Sequence, residues 1–267
     1  MNARKDENSG PRAVLPEILI RELIIKLALK GNERVLHIGS GDGIVTAAIA
    51  ACLPRGSVLG VDASGDQIRT EKVTSLPNRY NNIQFSAADF DHLTFENEFD
   101  VVFSHNLVSE ASLSDTLYKG IHRLLTPGGR LLLQMEGKGS SDHIISKVNA
   151  LLSLEPWKEY CTGYRFSPLP TEDEVMELCD EAYLYTIRVD LFPRTILFSG
   201  DASFETWIRD VWHSLLAKVP KDQSDRLVTA ITQEYHTLYP LASDGSVTLP
   251  VSRLEIEARK ESDPDTP

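Results

Sequence analysis

Two features between residues 39 and 62 have residue types that could do chemistry together. The first is Gly39-Ser40-Gly41-Asp42-Gly43, which follows the apolar run Arg34-Val-Leu-His-Ile38. Glycines in such a turn let the backbone approach a ligand closely. A turn between a strand and a helix also lies at the carboxyl edge of an open sheet, where α/β proteins bind cofactors. The second feature is Asp62, nineteen residues after Gly43, at the end of the next apolar run. A carboxylate there can accept hydrogen bonds from both hydroxyls of a ribose, each worth roughly 1.5–3 kcal/mol. Taken alone, the glycines also fit a plain tight turn.

These residues need a scaffold, and the surrounding pattern supplies one. Apolar positions at helical spacing (Leu19, Ile20, Leu23, Ile24, Leu27) predict an amphipathic helix over Leu15–Leu29, ended near Gly31. Strands are then expected at 34–38, 57–61, 82–86, 99–103 and 130–135, with helices at 44–52 and 65–73. A further helix has the apolar face Leu113, Leu117, Ile121, Leu124 and Leu125, and Pro127-Gly128-Gly129 turns into the fifth strand. Such alternation implies right-handed crossovers and a parallel sheet. Beyond it, 142–152 and 171–181 read as helices, the latter opened by a Thr171/Glu174 capping box. Residues 183–191 and 247–258 alternate like strands and enclose a helical stretch at 203–238. The expectation is an α/β fold with a doubly wound, mostly parallel seven-stranded sheet and a helical cap inserted near the C-terminal strands. Residues 1–13 are expected to be a disordered tail, 14–259 a single domain with cap segments at about 138–170 and 200–245, and 260–267 a polar tail.

Composition narrows the function. The 267 residues carry 27 Lys and Arg against 39 Asp and Glu, a net charge of −12. That balance argues against nucleic acid and anionic membranes, both of which ask for a basic face. The longest uncharged stretch near an apolar run, Gly43–Pro54, is twelve residues, short of the ~18 a membrane helix needs. Three scattered cysteines suit neither a disulfide framework nor a metal site, and the polar N-terminus lacks a secretory h-region. A cytoplasmic protein without metal is expected, a monomer or homodimer acting on a small molecule.

A dinucleotide fingerprint, GxGxxG, wants a third small residue where Ile44 stands. The spacing GxGxG, together with Asp62, Ala88-Asp89-Phe90 and Pro127-Gly128-Gly129, resembles instead the Rossmann-like class I S-adenosylmethionine-dependent methyltransferases. The resemblance extends from about Leu15 to Arg259. Phe166 to Glu174, Trp207-Ile208-Arg209 and the closing pairs Tyr239-Pro240, Asp244-Gly245, Leu249-Pro250 and Arg253-Leu254 are similar to trans-aconitate methyltransferases.

By that resemblance, Gly39, Ser40, Gly41 and Gly43 hold the methionine part and ribose of S-adenosylmethionine, and Asp62 binds the ribose diol with Ala63 beside the adenine. Asp89 and Phe90 contact the adenine, and Ser104 and His105 border the transferable methyl. His37 and Gln67 occupy further cofactor positions, at which the family usually has an acid and commonly a Met. The acid helps hold the methionine ammonium, so its absence predicts weaker binding. The family commonly has Asn at His105 and a different sequence at Val211-Trp212-His213, and relatives often carry an N-terminal tyrosine that this chain lacks. The acceptor is therefore expected to differ from trans-aconitate. Tyr164, Arg165, Arg194, Trp207 and Arg209 are candidates for holding it, an arginine serving as a carboxylate clamp. His105 is the candidate base should an alcohol or amine be the acceptor.

The stripe Phe204, Trp207, Ile208, Val211, Trp212 and Leu215 reads first as packing. The function expected is methyl transfer to a small molecule, O-methylation of a carboxylic acid in particular. The alternative is a methyltransferase fold with little or no catalysis, kept as a binding module.

Overall fold

The computed structural model describes residues 17–63, 79–107, 112–140 and 142–262. Its strands are β1 (Arg34–Ile38), β2 (Ser57–Asp62), β3 (Ile83–Ala87), β4 (Phe99–Leu107), β5 (Leu125–Glu136), β6 (Leu184–Phe198) and β7 (Val247–Lys260). They form one sheet of order β3-β2-β1-β4-β5-β7-β6. β1 pairs parallel with β2 and β4, β2 with β3, and β4 with β5, while β7 runs antiparallel to β5. The sheet is thus mostly parallel, as the strand–helix alternation predicts. From β1 the chain proceeds first to β2 on one side and later to β4 on the other. Such a reversal opens a crevice at the carboxyl ends of the two central strands.

The helices among the described residues are α1 (Glu17–Leu27), α2 (Ile44–Ala51), α3 (Asp115–Leu124), α4 (Asp142–Leu152), α5 (Lys158–Cys161), α6 (Glu172–Glu181), α7 (Asp201–Val211), α8 (His213–Leu216) and α9 (Lys221–Leu238). A 3-10 turn covers Phe90–His92. The capping box at Thr171 is formed, with Glu174 N–H donating to Thr171 Oγ1 and Thr171 N–H to the Glu174 carboxylate. The helix expected at 65–73 and the tail 1–13 lie outside the described residues.

The chain divides into two compact units. The first runs up to Lys138 and takes in Pro168–Phe192 and the chain from Arg253. One face of its sheet (Leu36, Ile38, Val102, Leu131, Leu133, Ile256) packs against Leu117, Tyr118 and Ile121 of α3 and Val175 and Cys179 of α6. The opposite face carries His37, Phe103, Leu132 and Glu257, which are successive register partners across β1, β4, β5 and β7. α2 and α1 reach this face, through Thr46 to His37 and Lys26 to Glu255.

The second unit comprises Gly139–Ser167 and Pro193–Ser252. Its own core joins Ile144 and Val148 of α4, Phe204 and Ile208 of α7, and Leu227, Ile231 and Tyr235 of α9. Phe204, Ile208, Trp212 and Leu215 are buried in it, with Trp207 and Val211 partly so, so the apolar stripe is core.

Three boundaries differ from the sequence expectation. β4 runs on to Leu107, so Ser104 and His105 lie within the strand rather than after it. The polar Ser104-His105-Asn106 ends the apolar run, but pairing continues to β5 through Ser104–Leu133 and Leu107–Met135, with an irregularity between. Leu125, expected on a helix face, pairs with Phe99 in the sheet. The Pro127-Gly128-Gly129 turn is a register shift inside β5, before the Val101–Arg130 pair. β6 continues past Pro193 because it is the edge of the sheet, where a residue without an N–H is tolerated.

Candidate functional site

The glycine turn leaves the carboxyl end of β1 and is fixed to the end of β2. Gly39 and Ser40 N–H groups donate to the Val61 carbonyl at 2.8 and 3.0 Å. Gly39, Gly41 and Gly43 have φ of 71°, 51° and 75°, a region that costs other residues about 1–2 kcal/mol each. One residue along β2, Gly60 makes room for the turn. A Cβ there would lie 2.9 Å from Ser40 Cβ and 2.8 Å from the Phe85 ring.

Asp62 ends β2, half-buried, and its Oδ2 accepts a 2.9 Å hydrogen bond from Gly41 N–H. The carboxylate and the glycine turn therefore form one assembly. Ala63 follows it and is exposed. Asp89 is exposed beyond the end of β3. Phe90 turns inward, so that a Cβ at Gly120 of α3 would sit 2.7 Å from its ring. Gln67 lies outside the described residues.

Two hydroxyls at this edge have no counterpart among the described residues. Ser40 Oγ and Ser104 Oγ are buried without a hydrogen-bond partner. A Cβ at Gly39 would be 4.0 Å from Ser104 Oγ, which places this serine beside the turn. A buried hydroxyl left unpaired costs about 1–3 kcal/mol. Two such hydroxyls, a glycine turn that lets a ligand approach the backbone closely and a strand-end carboxylate suit a ligand with an amino-acid end and a ribose diol.

His37 is placed beneath this edge. It is fully buried, with Nδ1 2.8 Å from Thr46 Oγ1 and Nε2 3.2 Å from His105 Nδ1. Burial first, then the charge of His105, pushes its pKa well below the usual imidazole value. His105 is half-buried and stacks against Phe103 at 5.9 Å. Burial and then the Arg253 guanidinium bring its pKa down to about 4, while Asp42 pulls the other way. Both rings are therefore neutral at pH 7.

Sequence reasoning missed the partners of this pair. Thr46 stands nine residues after His37, on α2, where it passes for an ordinary helix residue. Arg253, opposite Glu136 at the carboxyl end of β5, places an Nη2 donor 3.5 Å from Gln134 Oε1. The signal for it lay in β7, where Arg253, Glu255 and Glu257 alternate with Leu254, Ile256 and Ala258. That pattern reads as a solvated face, yet Glu255 is fully buried.

The residues expected to hold an acceptor all fall in the second unit. Tyr164 bonds Ser214 Oγ at 3.2 Å and begins a chain of ring contacts through Phe166 and Trp212 to Trp207. Arg209 is ion-paired with Asp225 at 2.9 Å. Arg165 and Arg194 are exposed. The structure thus brings Tyr164 and Trp207 into one aromatic cluster and leaves the arginines on the surface of their unit. No metal-binding cluster occurs among the described residues, and no helix among them is long and apolar enough to cross a membrane.

Comparison with known proteins adds the family. A family described as a methyltransferase domain matches residues 29–182. An uncharacterized methyltransferase of Schizosaccharomyces pombe is 24% identical over 250 residues, covering 91% of this chain and 92% of that protein. A trans-aconitate 2-methyltransferase of Escherichia fergusonii is 25% identical over 243 residues, covering 90% of this chain and 91% of the relative. Among solved structures, a Haemonchus contortus phosphoethanolamine N-methyltransferase 2 in complex with phosphomonomethylethanolamine and S-adenosylhomocysteine superposes with a TM-score of 0.57. It is 20% identical, and the match covers 92% of this chain and 53% of that one.

Proposed function

The chain belongs to the family of methyltransferase domains, and from that premise we propose that it methylates a carboxylate oxygen of a small organic acid, with S-adenosylmethionine as methyl donor. The observation that carries the reading is the joined assembly of glycine turn, Asp62 and the two unpaired serine hydroxyls. Gly39, Ser40, Gly41 and Gly43 would receive the amino-acid end and ribose, Asp62 would accept from the ribose hydroxyls, and Ala63, Asp89 and Phe90 would border the adenine. Ser104 and His105 would face the reacting end. When bound, S-adenosylmethionine supplies an electrophilic methyl carbon.

The protein's own contribution is to position the acceptor and to keep water away. A carboxylate suits this site because it is ionised at neutral pH and needs no base. Arg253, whose charge acts on His105, adds positive potential at the carboxyl end of β5. His37 holds no ligand in this reading, since both its ring nitrogens are already bonded.

Calorimetric titration with S-adenosylmethionine and S-adenosylhomocysteine, with NAD as control, tests the site. Micromolar binding of the first two is expected. Asp62→Ala should weaken S-adenosylhomocysteine at least tenfold, since one lost charge-assisted bond is worth roughly 1.5–3 kcal/mol. Unchanged affinity in that variant would move the ribose site elsewhere. The second reading, a binding module without turnover, has a specific observation behind it: the position usually occupied by an ammonium-holding acid is His37, turned inward. Folded protein that binds neither sulfur compound would favour it.

A further inference from the structure

The hydrogen-bond pattern around His37 decides which nitrogen of His105 carries its proton. Thr46 is fully buried, and among the described residues its hydroxyl has one hydrogen-bond partner, His37 Nδ1. Two other helical threonines behave differently. Thr206 and Thr232 donate to the carbonyl four residues earlier, at 2.9 and 3.1 Å. Thr46 does not, so among the described residues its proton has a single place to go.

A neutral imidazole has one donor nitrogen and one acceptor nitrogen. Were His37 protonated on Nδ1, it would donate to Thr46, and the threonine proton would be buried without an acceptor, an arrangement folded proteins avoid. The alternative uses every proton. Thr46 O–H donates to His37 Nδ1, His37 then carries its hydrogen on Nε2, and that N–H donates to His105 Nδ1 across 3.2 Å. With Nδ1 accepting, His105 carries its own proton on Nε2. That nitrogen makes no hydrogen bond among the described residues.

We propose that Thr46 and His37 are positioning residues that lock His105 as the Nε2–H tautomer, so that His105 donates a hydrogen bond to an anionic oxygen of the acceptor and does not act as a base. The role given to the acceptor rests on the methyl-transfer reading; the tautomer does not. A donor N–H with the Arg253 charge acting on the same ring makes an anion-holding corner, and Asp42 is the opposing charge there. The substrate class that fits is a carboxylate, one oxygen of which is held by His105 while the other is free to attack. Alcohols and amines, which must lose a proton, find no acceptor nitrogen at this position.

The test is a long-range proton–nitrogen correlation spectrum of the full chain with nitrogen-15-labelled histidine, at pH 7 and without ligand. Signals of His37 and His105 are assigned with His37→Gln and His105→Gln. Both rings are expected to be neutral with the proton on Nε2, and Thr46→Val is expected to move His37 toward a mixture of tautomers. A proton on Nδ1 of His105, or an imidazolium, overturns the proposal whatever the enzyme does. With a carboxylic acid acceptor, His105→Leu should lower kcat/KM at least tenfold, and His105→Gln, which keeps an N–H donor, should restore most of that loss. A Gln variant as inactive as the Leu variant, with wild-type-like folding, would overturn the donor role.

Discussion

Two buried polar clusters share the α1–α2 face of the sheet, Glu255 with Lys26, Arg188 and Gln134 toward the β6 edge, and His37 with Thr46 and His105 near the middle. The first is charged and closed. The Glu255 carboxylate accepts from Lys26 Nζ at 2.6 Å, from an Arg188 Nη2 at 2.5 Å and from Gln134 Nε2. Burial alone would raise its pKa, but the hydrogen bonds from Lys26, Arg188 and Gln134 outweigh that and hold it below the usual carboxylate range. The second cluster is neutral and open, because its last member keeps an N–H unspent. A buried polar group whose every valence is met stabilises the fold, whereas one with a valence left over at a strand end is equipped to meet a ligand.

The largest test of this contrast is Glu255→Gln. It removes the buried charge while Lys26 and Arg188, both part-exposed, keep Glu22 and Asp190 as partners, so the expected loss is that of charge-assisted hydrogen bonds, ~1.5–3 kcal/mol, read from urea denaturation at pH 7. A loss near zero would mean that the closed cluster holds nothing together.

Acid should separate the clusters further. The folded-state pKa of His37 and of His105 lies below the unfolded value of about 6.5. Below that value the unfolded chain takes up protons that the folded chain refuses, so stability falls as pH drops, by up to ~1.4 kcal/mol per pH unit for each histidine. His105 itself is half-protonated in the folded protein at about pH 4. Glu255 acts later, since its contribution is present above the unfolded carboxylate pKa and is lost as pH falls through its depressed folded value. Denaturation at pH 7 and pH 5 should show the fall in the natural sequence and a flatter response in the double variant His37→Gln, His105→Gln.

The smallest effect is expected where a polar pair is neither buried nor open. Arg209 and Asp225 meet at 2.9 Å with both side chains exposed. Arg209→Ala should cost no more than ~0.2–1 kcal/mol and leave cofactor affinity unchanged in the same titration.

What the sequence reveals follows from how local each signal is. The glycine turn and Asp62 are legible because both sit where an apolar run stops, and their bond joins neighbouring strands. The seven strands and the capping box at Thr171 are legible for the same reason. The end of β4 is not, because its polar residues break the apolar run while the backbone ladder continues. Nor is the Pro193 stretch of β6, where a proline that normally ends a strand is accommodated by an edge. Thr46 and Arg253 escape because their meaning depends on which face of the sheet a helix covers. Alternation in β7 gives two faces but does not say that α1 lies over the charged one.

The Gly41–Asp62 hydrogen bond has a kinetic consequence. The same carboxylate that would grip a ribose also holds the turn in its receiving shape. Affinity for a ligand that needs that shape scales with the fraction of molecules already in it. Losing the grip would speed departure of the ligand, and losing the shape would slow its arrival. A weakened Asp62 variant therefore reports two different failures in one equilibrium constant, and only the separate rates of arrival and departure can tell them apart.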